Sequence, residues 1–164
     1  MKRTVLCSLL LAACANLHVR SELAPEVDPS RYHTFAWAPL DGAGEQPTTI
    51  IDQRIRAALA PALEQKGFRE NHDSPDFLVS YHVLHERKTG VSDWGNGLSG
   101  WTPEVVTYTE GTLIVDFIDP STNAVFWRGS AHNAIEPPGQ IDEQRLQKAA
   151  VEIVRHYPSM VAAR

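Results

Sequence analysis

The chain has 164 residues, 43% hydrophobic and 21% charged, a composition that fits one globular domain and excludes a disordered or fibrous chain. Its 20 acidic and 15 basic residues give a net charge of −5, which excludes the broad cationic footprint of a nucleic-acid-binding protein. Both cysteines, Cys7 and Cys14, lie near the N-terminus, so the body of the chain can hold no disulfide framework, thiolate zinc site, iron–sulfur cluster or cysteine nucleophile.

The first element in chain order is a lipoprotein signal over residues 1–13. Lys2 and Arg3 give a positive start, Thr4 to Leu11 is an apolar run, and Leu11-Ala12-Ala13-Cys14 closes it as a lipobox. Small side chains admit the peptidase, and the Cys14 thiol takes the diacylglyceryl group and becomes the new N-terminus. Each buried CH₂ of the acyl chains contributes about 0.8 kcal/mol, so two or three chains hold the protein stably in a membrane. The apolar run is too short to cross a bilayer by itself. Cys7 is a small hydrophobe discarded with the signal. Cleavage also removes Lys2 and Arg3, which moves the net charge from −5 to −7.

Residues 14–30 read as the lipidated cysteine and a tether, with Pro25 and Pro29 and no clear period. A single α+β domain is expected over 31–158, followed by a short tail at 159–164. Tyr32 to Ala38 alternates, with His33, Phe35 and Trp37 on one side, and reads as a strand. Residues 39–48 hold two prolines and two glycines and make a loop.

A helix follows from about 50 to 66. Thr49 with Asp52 resembles a capping box, Ile51, Ile55, Ala58, Leu59 and Ala62 recur at helical spacing, and Gly67 is a stop signal. Pro61 removes one helical amide and crowds the Ala57 carbonyl, so a kink is expected there.

Pro75 to Leu84 is the next strand, apolar on both faces and therefore central. Residues 105–118 and 124–134 form two further strands joined by the turn Asp119 to Asn123. If Ile118 faces Phe126, then Leu113, Val115 and Phe117 share a core face with Trp127, Gly129 and Ala131. Asp116 then lies opposite Arg128 as a cross-strand ion pair, worth about 0.2–1 kcal/mol. The last helix begins near Ile141-Asp142, buries Leu146, Ala149, Ala150, Ile153 and Tyr157, and ends before Pro158. The order β-α-β-β-β-α predicts a two-layer sandwich: a mainly antiparallel sheet of about four strands with two helices packed on one face.

Motifs for chemistry are sparse. Gly95 to Gly100 matches GxGxxG, but Trp94 precedes it and Trp101-Thr102-Pro103 follows it, so no helix can start where a pyrophosphate needs one. His82 and His85 point to opposite sides of a strand, and neither HExxH nor GxSxG occurs, so no metal, cofactor or catalytic residue is assigned. Glu110, Asp116 and Asp119 lie on one hairpin and are the only carboxylates offered for a hydrolase. Residues 85–104 lack a period and carry Trp94 and Trp101 among four glycines. These tryptophans are candidates to stack on a glycan, dip into a membrane interface or anchor a protein partner, with folding back over the sheet edge as the structural alternative.

Taken together, the lipobox, Tyr32 to Trp37, Arg54-Ile55-Arg56, Lys66-Gly67-Phe68, Pro75 to His82, Gly111 to Asp116 and Val125 to Gly129 resemble the bacterial envelope lipoproteins grouped as domain of unknown function 4136. The resemblance covers roughly residues 20 to 158. It implies a lipoprotein of the outer membrane facing the periplasm, with no established enzymatic activity. Pro61 departs from the smoother helix that the family leads one to expect. Ala15, where an Asp would resemble an inner-membrane retention signal, is consistent with delivery to the outer membrane. The expectation is therefore a lipid-anchored envelope protein that acts as a binding or accessory module for another envelope component. An envelope hydrolase using the hairpin carboxylates and an accessory subunit of a transport system are the alternatives.

Overall fold

The computed structural model describes residues 17–39, 49–92, 104–135 and 142–158. Its elements in chain order are β1 (His18–Leu23), a 3-10 turn (Pro29–Arg31), β2 (Thr34–Trp37), α1 (Thr49–Lys66), β3 (Arg69–Glu70), β4 (Phe77–Ser92), β5 (Glu104–Ile118), β6 (Val125–Ile135) and α2 (Glu143–Arg155). They build one sheet in the order β1-β6-β5-β4-β2-β3.

The α+β class agrees with the sequence reading, but the sheet has six strands and is mixed rather than about four and mainly antiparallel. β1, β6, β5 and β4 pair antiparallel in turn, while β2 runs parallel to both β4 and β3. The parallel pairing follows from α1, which lies between β2 and β4 in the chain and lets β4 run in the direction of β2. β3 is only two residues long and joins the outer edge of β2. β1 falls in the segment expected to be a tether, yet it pairs with β6 over six consecutive residues.

A second difference concerns residues 85–104. β4 and β5 form one long hairpin whose pairing continues from Leu78↔Ile118 to Ser92↔Glu104, so much of the expected loop is ladder. Trp94, Trp101 and the GxGxxG segment lie outside the described residues, as do Cys14 and the signal.

The core forms where alternate residues of the strands meet the apolar stripes of both helices. Phe77, Val79 and Tyr81 of β4, Leu113, Val115 and Phe117 of β5, and Trp127 and Ala131 of β6 are buried against Ile55, Leu59 and Leu63 of α1 and Leu146, Ala150 and Ile153 of α2. Each large side chain removed from water in this way contributes about 1.5–3 kcal/mol. Phe68, Phe77, Phe117, Phe126, Trp127 and Tyr157 form a continuous set of ring contacts through the middle of this layer. Gly129 leaves room for it: a Cβ there would sit 2.5 Å from Trp127 Cη2 and 2.6 Å from Ile153 Cγ2.

Several local devices hold the elements in place. Asp142 caps α2 by accepting from the amides of Gln144 and Arg145. α1 includes Thr49, and the Asp52 carboxylate takes the Arg56 Nε one turn on at 3.1 Å. α1 runs as a single helix through the exposed Pro61. Tyr157 lies just past α2, buried, and its hydroxyl donates to the Pro29 carbonyl at 3.0 Å. Burial is the main reason its hydroxyl titrates above the ordinary tyrosine value. Asp76 clasps the start of β2, accepting from the amides of His33 and Thr34 at 2.9 and 2.8 Å. Burial alone would raise its pKa, but those amides outweigh it and hold the carboxyl below the ordinary value.

Candidate functional site

Both helices pack on the face that carries the core residues, and side chains alternate along a strand, so the intervening residues point to the opposite face. On that face Ser80, Asp116, Arg128 and Glu22 stand side by side across β4, β5, β6 and β1. The adjacent row is His82, Ile114, Ser130 and Arg20. Beyond it lie Leu84 beside Thr112, and His132 beside His18. Among the described residues this second face carries no helix, and Leu84 is 55% exposed on it.

Asp116 is the centre of the surface. It is only 2% exposed although it lies on the uncovered side. Arg128 explains this: its Nε donates to one carboxylate oxygen at 2.6 Å and its Nη2 to the other at 2.7 Å. His82 Nε2 approaches the second oxygen to 3.9 Å. The hydrogen bond to Asp116 is the main cause that raises the Arg128 guanidinium above its ordinary value; the Asp116 charge and Glu22 add to this, while burial opposes it. The result is a charge-assisted fork whose guanidinium stays half exposed, able to meet an incoming polar group on its open edge. On the same face Thr112 Oγ1 and His132 Nδ1 are 3.2 Å apart. A shallow open groove of about 340 Å³ ends this surface, lined by Glu22 to Pro25 and Val125 to Arg128.

The sequence pairing of Asp116 with Arg128 is thus present in the sheet. One detail differs, because a register irregularity between Phe117 and Ile118 sets Ile118 opposite Val125 rather than Phe126. Phe126 is thereby free to turn inward, where it is buried and stacks on Tyr32 with ring centroids 4.1 Å apart. Ser80 and Glu22, which complete the polar row, and His82 in the row beside it come from strands that the sequence offers no local reason to align with Asp116. The only available signal was the alternation of Leu78, Ser80, His82 and Leu84 against the core face of β4.

Two of the carboxylates considered for a hydrolase are engaged separately. Asp116 is held by Arg128, and Asp119 accepts from the Ser121 and Thr122 amides and the Ser121 hydroxyl to cap the hairpin turn. These hydrogen bonds, led by the Ser121 hydroxyl, hold the Asp119 carboxyl below its ordinary value. Glu110 stands opposite Glu86 in the β4–β5 register. Among the described residues no three of His, Cys, Asp and Glu gather as a metal-binding group, and no helix is long and apolar enough to cross a membrane.

Comparison with solved structures gives the fold a setting. The chain is similar to a PDZ domain protein from Parabacteroides distasonis, with a TM-score of 0.59 and 14% identity; the match covers 87% of this chain but 36% of that one, so the chain spans about a third of its neighbour. It is also similar to a point variant of PelC from Paraburkholderia phytofirmans, solved as a dodecamer, with a TM-score of 0.50, 14% identity, and coverage of 91% of this chain and 99% of that one. At this identity the likeness is one of fold. No curated protein matches the chain. A family model described as "Domain of unknown function (DUF4136)" matches residues 19–159.

Proposed function

We start from the fact that the chain belongs to the DUF4136 family, and we propose that it is a lipid-anchored bacterial envelope protein serving as a binding or accessory module for another envelope component. The observation that carries this reading is the N-terminal sequence: a dibasic start, the apolar run Thr4 to Leu11, and Leu11-Ala12-Ala13-Cys14. Acylated Cys14 is the membrane anchor, Ala15 directs the protein to the outer membrane, and the domain faces the periplasm. The one-sided sheet supports a binding role, since it presents a row of fixed polar groups beside exposed Leu84 and half-buried Ile114. Trp94 and Trp101 are proposed as further contacts for a protein or glycan partner.

The anchoring claim is tested by fractionating cells that express the wild-type chain or Cys14→Ala. Wild type is expected in the membrane fraction with a diacylglyceryl mass on Cys14, and the variant is expected to lose both. Wild type in the soluble fraction with an unmodified Cys14 overturns the reading. The binding role is tested by crosslinking from intact membranes. Replacing Trp94 and Trp101 together with Ala is expected to abolish capture of the crosslinked partner while leaving the melting temperature unchanged; a large drop in melting temperature assigns them to the fold instead.

A further inference from the structure

Among the described residues β1 is an edge strand, and its six residues carry neither proline nor a break in register. Edges of this kind pair with other strands unless something blocks them. The direction of its free hydrogen-bonding groups can be worked out. The Ala24 amide donates to the Phe126 carbonyl at 2.8 Å, which makes Ala24–Phe126 a hydrogen-bonded pair of the antiparallel ladder. Such pairs alternate, so His18, Arg20 and Glu22 also direct their backbone groups to β6, while Val19, Ser21 and Leu23 direct theirs outward.

Those outward groups set the registers available to an antiparallel copy of the same strand. Centring the pair on Arg20 puts two arginines face to face, and centring it on Glu22 opposes two glutamates. Centring it on Ser21 pairs Ser21 with itself, Val19 with Leu23, and Arg20 with Glu22 on both sides of the two-fold axis. Arg20 and Glu22 are both exposed and fall at the narrow, non-hydrogen-bonded positions, where side chains on facing strands approach most closely. Val19 and Leu23 are half-buried and already rest on the core layer. This register keeps both helix layers on one side and joins the two uncovered sheet faces into one surface.

From this complementarity we infer that β1 is a homodimerisation edge, and that its occupant is β1 of a second copy of this chain, antiparallel and centred on Ser21. The pairing is small, which suits a dimer in the micromolar range that gains from confinement of both copies to one membrane.

Sedimentation velocity of the full chain in detergent, from about 1 to about 100 µM, tests the inference. Wild type is expected to dimerise across that range. Arg20→Glu and Glu22→Arg each replace two attractive pairs with two repulsive ones and are expected to weaken the dimer about tenfold or more. Mixed in equal amounts, the two variants restore both ion pairs and are expected to dimerise with each other at wild-type strength. Ser21→Pro removes an outward amide without removing a bond to β6 and is expected to be monomeric while remaining folded by circular dichroism. It provides the reading if a charge reversal unfolds the chain. A wild type that is monomeric at about 100 µM, or a dimer that survives Ser21→Pro, overturns the inference. Folded charge variants that fail to recover on mixing overturn the Ser21-centred register.

Discussion

Replacing Arg128 with Met should cost this protein more than replacing Asp116 with Asn, although both changes break the same ion pair. The asymmetry comes from burial: the Asp116 side chain is 3% exposed and the Arg128 side chain 54% exposed. In Asp116→Asn one amide oxygen can still accept from the guanidinium, and the loss of the charge and of one hydrogen bond is offset by renewed hydration of the half-exposed guanidinium, about 1 kcal/mol. In Arg128→Met the carboxylate stays buried without its partner. Stranded buried charges cost about 3–5 kcal/mol, and the half-exposed site with His82 at 3.9 Å reduces this to about 2–3 kcal/mol. For a domain of this size the difference is read as a melting temperature lower by about 4–12 °C for Arg128→Met and about 2–4 °C for Asp116→Asn. Thermal unfolding followed by circular dichroism at pH 7 checks both values. Equal losses for the two variants, or a larger loss for Asp116→Asn, would refute the reasoning.

Three further outcomes are expected. Gly129→Ala forces a methyl against the Trp127 ring and Ile153, and should lower stability by about 1–3 kcal/mol, seen as a lower urea midpoint. Pro61→Ala restores a helical amide at an exposed position of α1 and should raise the melting temperature, with about 3 kcal/mol as the upper bound on the gain. Asp76→Asn removes a carboxylate that the His33 and Thr34 amides hold below its ordinary value of 3.8. A depressed folded-state pKa stabilises above the unfolded value and is lost below it, so wild type should exceed Asp76→Asn in stability near pH 7, and the two should converge as the pH falls below about 4.

The parts of this fold that were legible in the sequence are those written in local pattern. The hairpin turn at Asp119 to Asn123, the stripe of α2 with its Asp142 start, and the Asp116–Arg128 pairing each rest on residues a few positions apart along the chain or across one tight turn. β1 was hidden because its inward side reads Val19, Ser21, Leu23, where the central serine interrupts the apolar alternation and donates instead to the His156 carbonyl at 3.4 Å. β3 has no signal of its own, since two residues become a strand only by lying beside β2. The far half of the β4–β5 hairpin, His85 to Ser92, has a single aliphatic side chain, so nothing in its hydrophobic pattern marks it, and the backbone ladder alone defines it. Of the polar row, the central pair could be read and the flanking Ser80 and Glu22 could not, because the order of strands in a sheet is a tertiary fact.

The early start of β1 bears on where this protein can work. Only Ala15, Asn16 and Leu17 separate Cys14 from His18. Fully stretched, four links of chain reach about 15 Å. With the lipid on Cys14 as proposed, the domain has a leash shorter than its own diameter of about 40 Å. It cannot sweep the space beyond the membrane in search of a distant ligand, and anything it engages must come within a domain's breadth of the bilayer.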